Sequence, residues 1–275
     1  MPGPRGYLGP GPNLERYRPL LTVKNLTMRY PNAALRALDD FNLELAAGEF
    51  VSLLGASGCG KTTALRIVGG LQNQVEGEVY VDGALSTGPS RNKAMVFQHF
   101  NLLPWRTALN NVAYGLELQG VKKQERLAIA SEYLHLVGLG AEADRYPSQM
   151  SGGQNQRLGL ARALAISPKL MLMDEPFGAL DALTRESLQI MLQRICDQTE
   201  IAVLFVTHSI DEAIFLSDRI LVMTTPGRVI KEVTVNLPKP RSEYDWRDSD
   251  EYRTLRSDIW NVLESESSLQ TESGR

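Results

Sequence analysis

Cysteine, excess basic charge and long apolar runs are all scarce in this sequence of 275 residues. The two cysteines, Cys59 and Cys196, cannot build a disulfide scaffold, so a reducing compartment is the simpler expectation. No stretch approaches the roughly 18 uninterrupted apolar residues of a membrane-spanning helix. The net charge of −3 lacks the basic excess that is typical of proteins that bind nucleic acid. These absences predict a cytoplasmic protein that binds no nucleic acid and reaches a membrane only through a partner.

Residues 1–19, MPGPRGYLGPGPNLERYRP, differ in composition from the rest of the chain. They are rich in glycine and proline and contain no apolar stretch of the kind that a signal peptide has. This composition predicts a disordered tail.

Apolar runs that are nearly free of charge alternate with stretches of helical character. Such runs suit strands that are buried on both faces of a parallel sheet, and strands that alternate with helices predict an α/β fold. The expected strands are LTVKNLTMRY, FNLELAAGEFVSLLG (two strands with AAGE as the turn), KAMVF, KLMLMDE and IAVLFVTH. The expected helices cover residues 61–68, 125–137, 154–166 and 181–199.

Two regions depart from this alternation. From residue 99 to residue 165 helical patterns dominate, which predicts a helical subdomain inserted into the α/β core. Near the end of the chain, apolar residues at helical spacing predict an amphipathic helix, followed by a polar tail, ESESSLQTESGR. Those apolar residues are Leu255, Ile259, Val262 and Leu263, with Trp260 beside them. The predicted units are therefore a tail (1–19), a main domain (20–235) and a C-terminal helix with its polar tail (236–275).

A glycine-rich loop, GASGCGKTT, follows the expected strand EFVSLL and precedes an expected helix. Its spacing is that of a P-loop, in the strand–loop–helix context that this motif requires. Backbone N–H groups of such a loop point at phosphate oxygens, and the helix N-terminus adds positive partial charge there. Lys61 is expected to reach the β- and γ-phosphates, and the Thr62 hydroxyl to bind Mg²⁺. The residues expected to contact nucleotide are Gly55, Ser57, Gly58, Cys59, Gly60, Lys61, Thr62 and Thr63.

Cys59 occupies a variable position of that loop. Helix N-termini lower the pKa of a thiol, so a reactive cysteine is one interpretation. A small residue that fits a tight turn is the simpler one.

Two carboxylates, Asp174 and Glu175, stand at the end of the expected buried strand LMLMDEP, where Pro176 cannot continue a central ladder. The carboxyl ends of parallel strands are where α/β sheets bind ligands. Asp174 is expected to hold Mg²⁺, directly or through water, and Glu175 to polarise the attacking water. Taken alone, DEP is equally compatible with a solvated exit from a strand, and the upstream P-loop favours the functional interpretation.

A serine and two glycines, in MSGGQNQRL, open another expected helix. Glycine is a poor helix former, so this pair carries a local cost. Ser151 can cap the helix, and the bare backbone leaves N–H groups open to an anion. The chain thus has two candidate phosphate-binding helix ends in different subdomains. That arrangement suggests a site shared between two copies, with the P-loop of one facing the SGGQ of the other.

Together, these motifs resemble ATP-binding cassette (ABC) ATPases. The P-loop, VFQ, MSGGQNQRLGLARAL, LMLMDEP, GALD and FVTH occur in the order found in that family, and the resemblance covers about residues 20–235. It implies a P-loop NTPase core with an N-terminal antiparallel β subdomain and an inserted helical subdomain. It also implies two cassettes that close head to tail around two ATP molecules and reopen after hydrolysis, with Mg²⁺ as the metal.

The resemblance assigns roles to residues that spacing alone does not. Tyr30 matches the aromatic residue that stacks on adenine, and Gln98 the residue that contacts Mg²⁺ and the attacking water. His208 matches the histidine that contacts the γ-phosphate, and Asp181 the aspartate of the loop that crosses the dimer interface. Ser151, Gly153 and Gln154 match the signature residues that face the partner's nucleotide. Met150 and Ser209 stand where Leu and Asp are more usual, but every chemical position is intact, so an active ATPase is expected.

One cassette without a membrane span needs a second cassette, most simply an identical one, and separate permease subunits. LLPWRT, EPFGALDALTRE, TTPGRV and LPKPR resemble the nitrate/sulfonate/taurine importer branch, with the taurine and aliphatic sulfonate cassettes closest. This implies a peripheral subunit on the cytoplasmic face of the inner (plasma) membrane, served indirectly by an extracytoplasmic substrate-binding protein. Leu103 and Trp105 are candidates for the permease-docking surface, although a buried core role is as compatible with either.

Other functions stay open on the sequence alone. Nitrate, bicarbonate or a thiamine precursor are alternative cargoes within the same branch. A soluble, non-transport ABC ATPase is the alternative of another class, and an inactive nucleotide-binding regulator and a P-loop kinase are the remaining ones.

Overall fold

The computed structural model describes residues 19–31, 33–74, 76–98 and 101–273. The predicted N-terminal tail therefore lies outside the described residues, apart from Pro19, which begins the first strand. Within the described part, no helix is long and apolar enough to cross a membrane.

The described residues form ten strands and eight α-helices. The strands are β1 (Pro19–Met28), β2 (Leu38–Ala46), β3 (Phe50–Gly55), β4 (Glu76–Val81), β5 (Ala84–Leu85), β6 (Lys93–Val96), β7 (Leu170–Asp174), β8 (Ala202–Thr207), β9 (Arg219–Thr224) and β10 (Arg228–Thr234). The helices are α1 (Lys61–Gly69), α2 (Ala108–Val112), α3 (Tyr114–Leu118), α4 (Lys123–Leu136), α5 (Gly152–Ala165), α6 (Ala182–Asp197), α7 (Ile210–Leu216) and α8 (Asp250–Ser273).

A six-stranded sheet with the order β10-β9-β3-β8-β7-β6 forms the centre of the molecule. Its five strands from β9 to β6 are parallel, and β10 pairs antiparallel at one edge. Every residue of β3, β7 and β8 is buried, as their nearly charge-free sequences predict for strands covered on both faces. The predicted α/β fold is confirmed.

Residues of β8 alternate between two apolar cores. Val203 and Phe205 pack with α6, α7 and α8 on one face of the sheet. Leu204 and Val206 pack on the other face with α1 and with the strands β1 and β2. Those strands belong to a second, antiparallel sheet with the order β2-β1-β4-β5, which is the predicted N-terminal β subdomain.

Helices α2 to α5 form the predicted helical subdomain, although residues 99 and 100 at its predicted start lie outside the described part of the chain. These helices have a core of their own, with Val112, Leu134 and Leu158 fully buried. No strand occurs among the described residues between β6 and β7.

The C-terminal helix α8 packs on the core through Tyr252 and Ile259. Trp246, just before it, stacks on Phe215 and meets the Tyr252 ring edge-on. Helix α8 lies where the apolar spacing predicts an amphipathic helix, and it is longer than expected. It extends to Ser273 and so includes most of the segment that its composition assigned to a polar tail.

Candidate functional site

The P-loop curls between β3, which ends at Gly55, and α1, which begins at Lys61. Gly60 has a φ of 104°, and a Cβ there would lie 2.2 Å from the carbonyl oxygen of Ala37, so this position requires glycine. The Lys61 ammonium folds back over the loop and donates to the carbonyl oxygens of Gly55 (2.7 Å) and Ala56 (2.9 Å). The Lys61 ammonium is thus held inside the curve of the loop backbone.

The remaining P-loop residues fall into exposed and buried sets. Ser57 and Gly58 are exposed at the mouth of the loop, whereas Thr63 and Cys59 are buried. Burial raises the pKa of the Cys59 thiol, which opposes thiolate formation at neutral pH. This favours the simpler interpretation of Cys59 as a small residue that fits a tight turn.

A hydroxyl and a carboxylate face each other beside the loop. Thr62 Oγ1 donates to Asp174 Oδ1 at 2.8 Å, which joins the start of α1 to the end of β7. Burial is the largest influence on Asp174 and raises its pKa, while the Thr62 hydrogen bond and nearby Arg66 oppose that rise. Hard oxygen donors of this kind fit Mg²⁺, which is typically held by one or two carboxylates together with substrate phosphates and water. The described residues contain no group of three or more His, Cys, Asp or Glu side chains that could hold a metal ion without a substrate.

Three predicted side chains lie close together beyond the carboxyl ends of β6, β7 and β8: Gln98, Glu175 and His208. His208 Nδ1 lies 3.1 Å from Glu175 Oε2. A Cβ built on Gly178 would lie 3.7 Å from Gln98 Nε2 and 3.9 Å from Glu175 Oε2, so both side chains border that glycine. The His208 imidazole and the Gln98 amide thus lie near the carboxylate of Glu175, the residue that follows Asp174.

Glu175 adopts a left-handed backbone with a φ of 44°. For a residue other than glycine this conformation costs on the order of 1–3 kcal/mol, and it persists only where the surroundings impose it. Here the Glu175 N–H donates to Val206 O (3.0 Å), and Gly178 N–H donates to Glu175 O (3.2 Å). The chain turns sharply at this point, which separates the Glu175 side chain from that of Asp174.

The SGGQ segment forms a capped and exposed helix end. The Ser151 hydroxyl accepts from Gln154 N–H (3.2 Å), and Gln154 Oε1 accepts from Ser151 N–H (2.9 Å). This is a reciprocal capping box. A Cβ on Gly152 would meet nothing within 4 Å, whereas one on Gly153 would lie 2.6 Å from Thr184 Cγ2 at the start of α6. The two glycines therefore differ, since Gly153 makes room for α6 and Gly152 leaves its backbone open.

Asp181 and Tyr30 complete the predicted set. Asp181 caps α6 by accepting from Thr184 N–H at 3.0 Å, and that backbone hydrogen bond holds the pKa of Asp181 below its usual value. The Tyr30 hydroxyl lies 3.1 Å from Thr63 Oγ1 and donates to Gln72 Oε1. Tyr30 thus stands against α1 on the P-loop side of the molecule. No described hydrogen bond joins Ser151, Gly153 or Gln154 to the P-loop of the same chain.

The apolar spacing of α8 did not predict that this helix borders the P-loop. Trp260, Leu263 and Glu264 line a cavity of about 350 Å³ together with Gly55 and His208. Glu266, one turn further along, accepts from the Thr224 hydroxyl at 2.7 Å. The apolar spacing in α8 was the available signal, but it showed only that the helix has an apolar face and not where that face packs.

A strand–P-loop–helix unit, with a hydroxyl–carboxylate pair and a second carboxylate beside it, defines a P-loop nucleotide-binding protein. Residues 38–178 match the ABC transporter family. An uncharacterised ABC transporter ATP-binding protein of Methanocaldococcus jannaschii is 46% identical over 255 residues, which is 92% of this chain and 94% of that protein. The chain belongs to the ATP-binding proteins of the ABC transporter family.

Two further relatives have names that include a transported solute. The bicarbonate transport ATP-binding protein CmpC of Synechocystis is 45% identical over 85% of this chain. The nitrate import ATP-binding protein NrtC of Synechococcus elongatus is 44% identical over 84% of this chain. In both cases the matching region is 36% of the relative, so the chain spans little more than a third of their length.

An ATP-binding cassette solved as a dimer in a post-hydrolysis state, bound to ADP and Pi, superposes with a TM-score of 0.71. It is 36% identical, and the match covers 79% of this chain and all of that one. This neighbour and the family membership together show that the chain is an ATP-binding ATP hydrolase.

Proposed function

We propose that this chain is the ATP-hydrolysing subunit of an importer for a small oxyanion, with bicarbonate and nitrate ahead of organosulfonates. The two named relatives are a bicarbonate transport ATP-binding protein and a nitrate import ATP-binding protein. They favour those alternatives over the taurine or aliphatic sulfonate cargo that the sequence motifs put first. The proposed assembly contains a second cassette, permease subunits in the membrane and an extracytoplasmic binding protein.

The observation that carries the catalytic part of the proposal is the shared edge of β7 and β8. Asp174 with its Thr62 partner, and Glu175 with its His208 partner, lie there one residue apart. Thr62, Asp174 and Gln98 would hold Mg²⁺, which supplies charge neutralisation at the β- and γ-phosphates when it is bound. Lys61 would exchange the carbonyl oxygens of the loop for a phosphate oxygen, whose negative charge makes it the stronger acceptor for an ammonium.

Glu175 is the proposed base for the attacking water. Its carboxylate accepts a hydrogen bond from the water and receives the water's proton as the water oxygen bonds to the γ-phosphorus. The bond from that phosphorus to the β–γ bridging oxygen breaks, and ADP leaves. A positioned base contributes about 10²- to 10⁴-fold in rate. His208 fixes the orientation of that carboxylate from its contact at Oε2, and Gln98 approaches from the Gly178 side. Tyr30 and the P-loop residues position the nucleotide for this step.

The signature helix end is the proposed contribution of the partner cassette. The first N–H groups of α5, those of Gly152 and Gly153, have no acceptor among the described hydrogen bonds. Unpaired donors at the start of a helix of 14 residues, joined to the positive end of its dipole, suit a phosphate. Head-to-tail pairing of two copies, with Asp181 at the junction, would bring this end to the P-loop of the other copy.

An uptake assay in the source cells tests the transport proposal. Cells whose cassette carries Lys61→Ala are compared with cells that carry Lys24→Ala, a matched loss of an exposed lysine on β1. Uptake of labelled bicarbonate, nitrate and taurine is then measured. We expect the Lys61 variant alone to lose bicarbonate or nitrate uptake. Loss of taurine uptake alone would instead support a sulfonate as the transported solute.

Unchanged uptake of all three solutes in the Lys61 variant would contradict this cargo class. Copurification of the cassette with membrane proteins would then test whether it is part of a transporter. A cassette recovered without any polytopic membrane protein would support the non-transport ABC ATPase.

A further inference from the structure

From the contacts around α7 we infer that Glu212 is a positioning residue for ATP hydrolysis, which ties the backbone on both sides of His208 to the start of α6. This inference goes beyond the ATPase activity and rests on the roles proposed above for His208 and Asp181. Glu212 contacts neither the P-loop nor Glu175 in any described hydrogen bond, so it acts through other residues.

One carboxylate oxygen of Glu212 holds the strand end that carries His208. The Thr207 hydroxyl donates to Glu212 Oε2 at 2.6 Å and accepts from Ser209 N–H at 3.0 Å. The Ser209 hydroxyl in turn accepts from Glu212 N–H at 3.3 Å and caps α7. Both neighbours of His208 are therefore fixed to the first turn of α7. The imidazole, which is itself largely exposed, projects from a backbone whose two flanking residues are hydrogen-bonded.

The other carboxylate oxygen reaches α6. Gln189 Nε2 donates to Glu212 Oε1 at 3.1 Å, and Arg185 Nε lies 3.9 Å from the same oxygen. A second nitrogen of the Arg185 guanidinium donates to Leu180 O at 2.9 Å. Leu180 directly precedes Asp181, the N-cap of α6. A single carboxylate thus links the loop proposed to cross the dimer junction with the loop that carries the proposed γ-phosphate histidine.

The hydrogen bonds at residue 212 require a side chain that accepts on two oxygens, which a carboxylate does. The side chain is only 12% exposed, and burial is the largest influence on its pKa, which it raises. Burying this charge opposes folding, and an apolar residue of similar volume would avoid that cost. The carboxylate has donors on both oxygens, from Thr207 on one and Gln189 on the other. A glutamine cannot accept on both sides, because one of its two ends is an N–H₂ donor.

Steady-state ATP hydrolysis by the purified full chain tests this role. We expect Glu212→Gln to lower kcat on the order of 10- to 100-fold, because a misplacement of about 1 Å has effects of that size. KM for ATP should stay within about twofold, since no nucleotide contact is lost. Glu186→Gln is the matched control: it removes an exposed carboxylate from α6 that pairs with Arg247, and it should leave kcat unchanged.

A second background separates positioning from simple packing. In a chain that already carries His208→Ala, Glu212→Gln should change kcat by less than about twofold, because residues that act as a unit are not additive. Thr207→Val keeps the shape of the side chain and removes its hydroxyl, so it should reproduce the loss of kcat even if Glu212→Gln does not fold.

Thr207→Val at the wild-type kcat would overturn the inference. So would a Glu212→Gln effect that is fully additive with His208→Ala, or one that raises KM as much as it lowers kcat. A His208→Ala chain with the wild-type kcat would instead refute the proposed role of the histidine. A Glu175→Gln chain with full turnover would refute the proposed base. Each failure is therefore distinguishable from a failure of the Glu212 inference.

Discussion

Gly153 offers a test of packing whose magnitude follows from one distance. A Cβ at this position would lie 2.6 Å from Thr184 Cγ2, closer than nonbonded carbons approach. In Gly153→Ala, relief of this overlap requires a shift of the Thr184 side chain or of α5 against α6, which costs about 1–3 kcal/mol. The better helix propensity of alanine offsets at most about 1 kcal/mol of that.

We therefore expect Gly153→Ala to lower the free energy of unfolding by about 1–2 kcal/mol, which lowers Tm by about 2–8 °C in a chain of this size. Thermal unfolding followed by circular dichroism, without nucleotide so that ligand binding does not shift Tm, measures this. Gly152→Ala is the matched control. A Cβ there meets nothing within 4 Å, so Tm should stay the same or rise slightly.

A second substitution, at Thr184, tests whether the clash with its methyl group causes the loss of stability. Thr184→Ser removes the methyl group that the new Cβ would strike and leaves the backbone N–H that Asp181 caps. In the double variant the loss caused by Gly153→Ala should shrink by about 1 kcal/mol or more, a coupling typical of residues in contact. If Gly153→Ala is as stable as wild type, or if its loss is the same with serine at position 184, the packing argument is refuted.

Three further predictions concern chemistry and the core. Glu175→Gln should reduce turnover by about 10²-fold or more and leave ATP binding intact, as measured by phosphate release and nucleotide titration; turnover near the wild-type rate would contradict the proposed base. EDTA should abolish hydrolysis, and added Mg²⁺ should restore it, whereas activity that survives chelation would count against the Thr62–Asp174 metal site. Leu204→Ala, at a fully buried position of β8, should cost about 2–5 kcal/mol in chemical denaturation, and a loss below about 1 kcal/mol would mean that the central sheet is packed loosely there.

Most of the fold could be predicted because strands, helices and the P-loop depend on residues that are close together in the sequence. The nearly charge-free runs form the buried strands β3, β7 and β8, and the P-loop lies between a strand and a helix as its spacing requires. Ser151 caps α5 as the sequence predicts, whereas the reciprocal hydrogen bond of Gln154, which completes a capping box, was not predicted. The order of the motifs along the chain also indicates the family without any knowledge of the geometry.

Contacts between residues that are distant in sequence could not be predicted in this way. Lys93 is the first residue of the expected strand KAMVF, and it is buried, with its ammonium donating to Val68 O, Ser86 Oγ and Gly88 O. The link from Glu212 to Gln189 likewise joins two helices that local patterns treat separately. The path of α8 toward the P-loop depends on the packing of Tyr252 and Ile259, which periodicity does not specify.

The central claim is that each ATP site is completed by a second copy of this chain, and complementation between two inactive variants tests it most directly. One variant carries Lys61→Ala and keeps its signature end, and the other carries Ser151→Glu and Gly152→Glu, at a glycine whose Cβ would meet nothing within 4 Å, and keeps its P-loop. Each alone should hydrolyse little ATP. An equal mixture that exchanges freely should recover about a quarter of the wild-type activity, because half of the dimers are mixed and each mixed dimer has one intact site of two. No recovery from the mixture, or full activity of the signature variant alone, would contradict the claim.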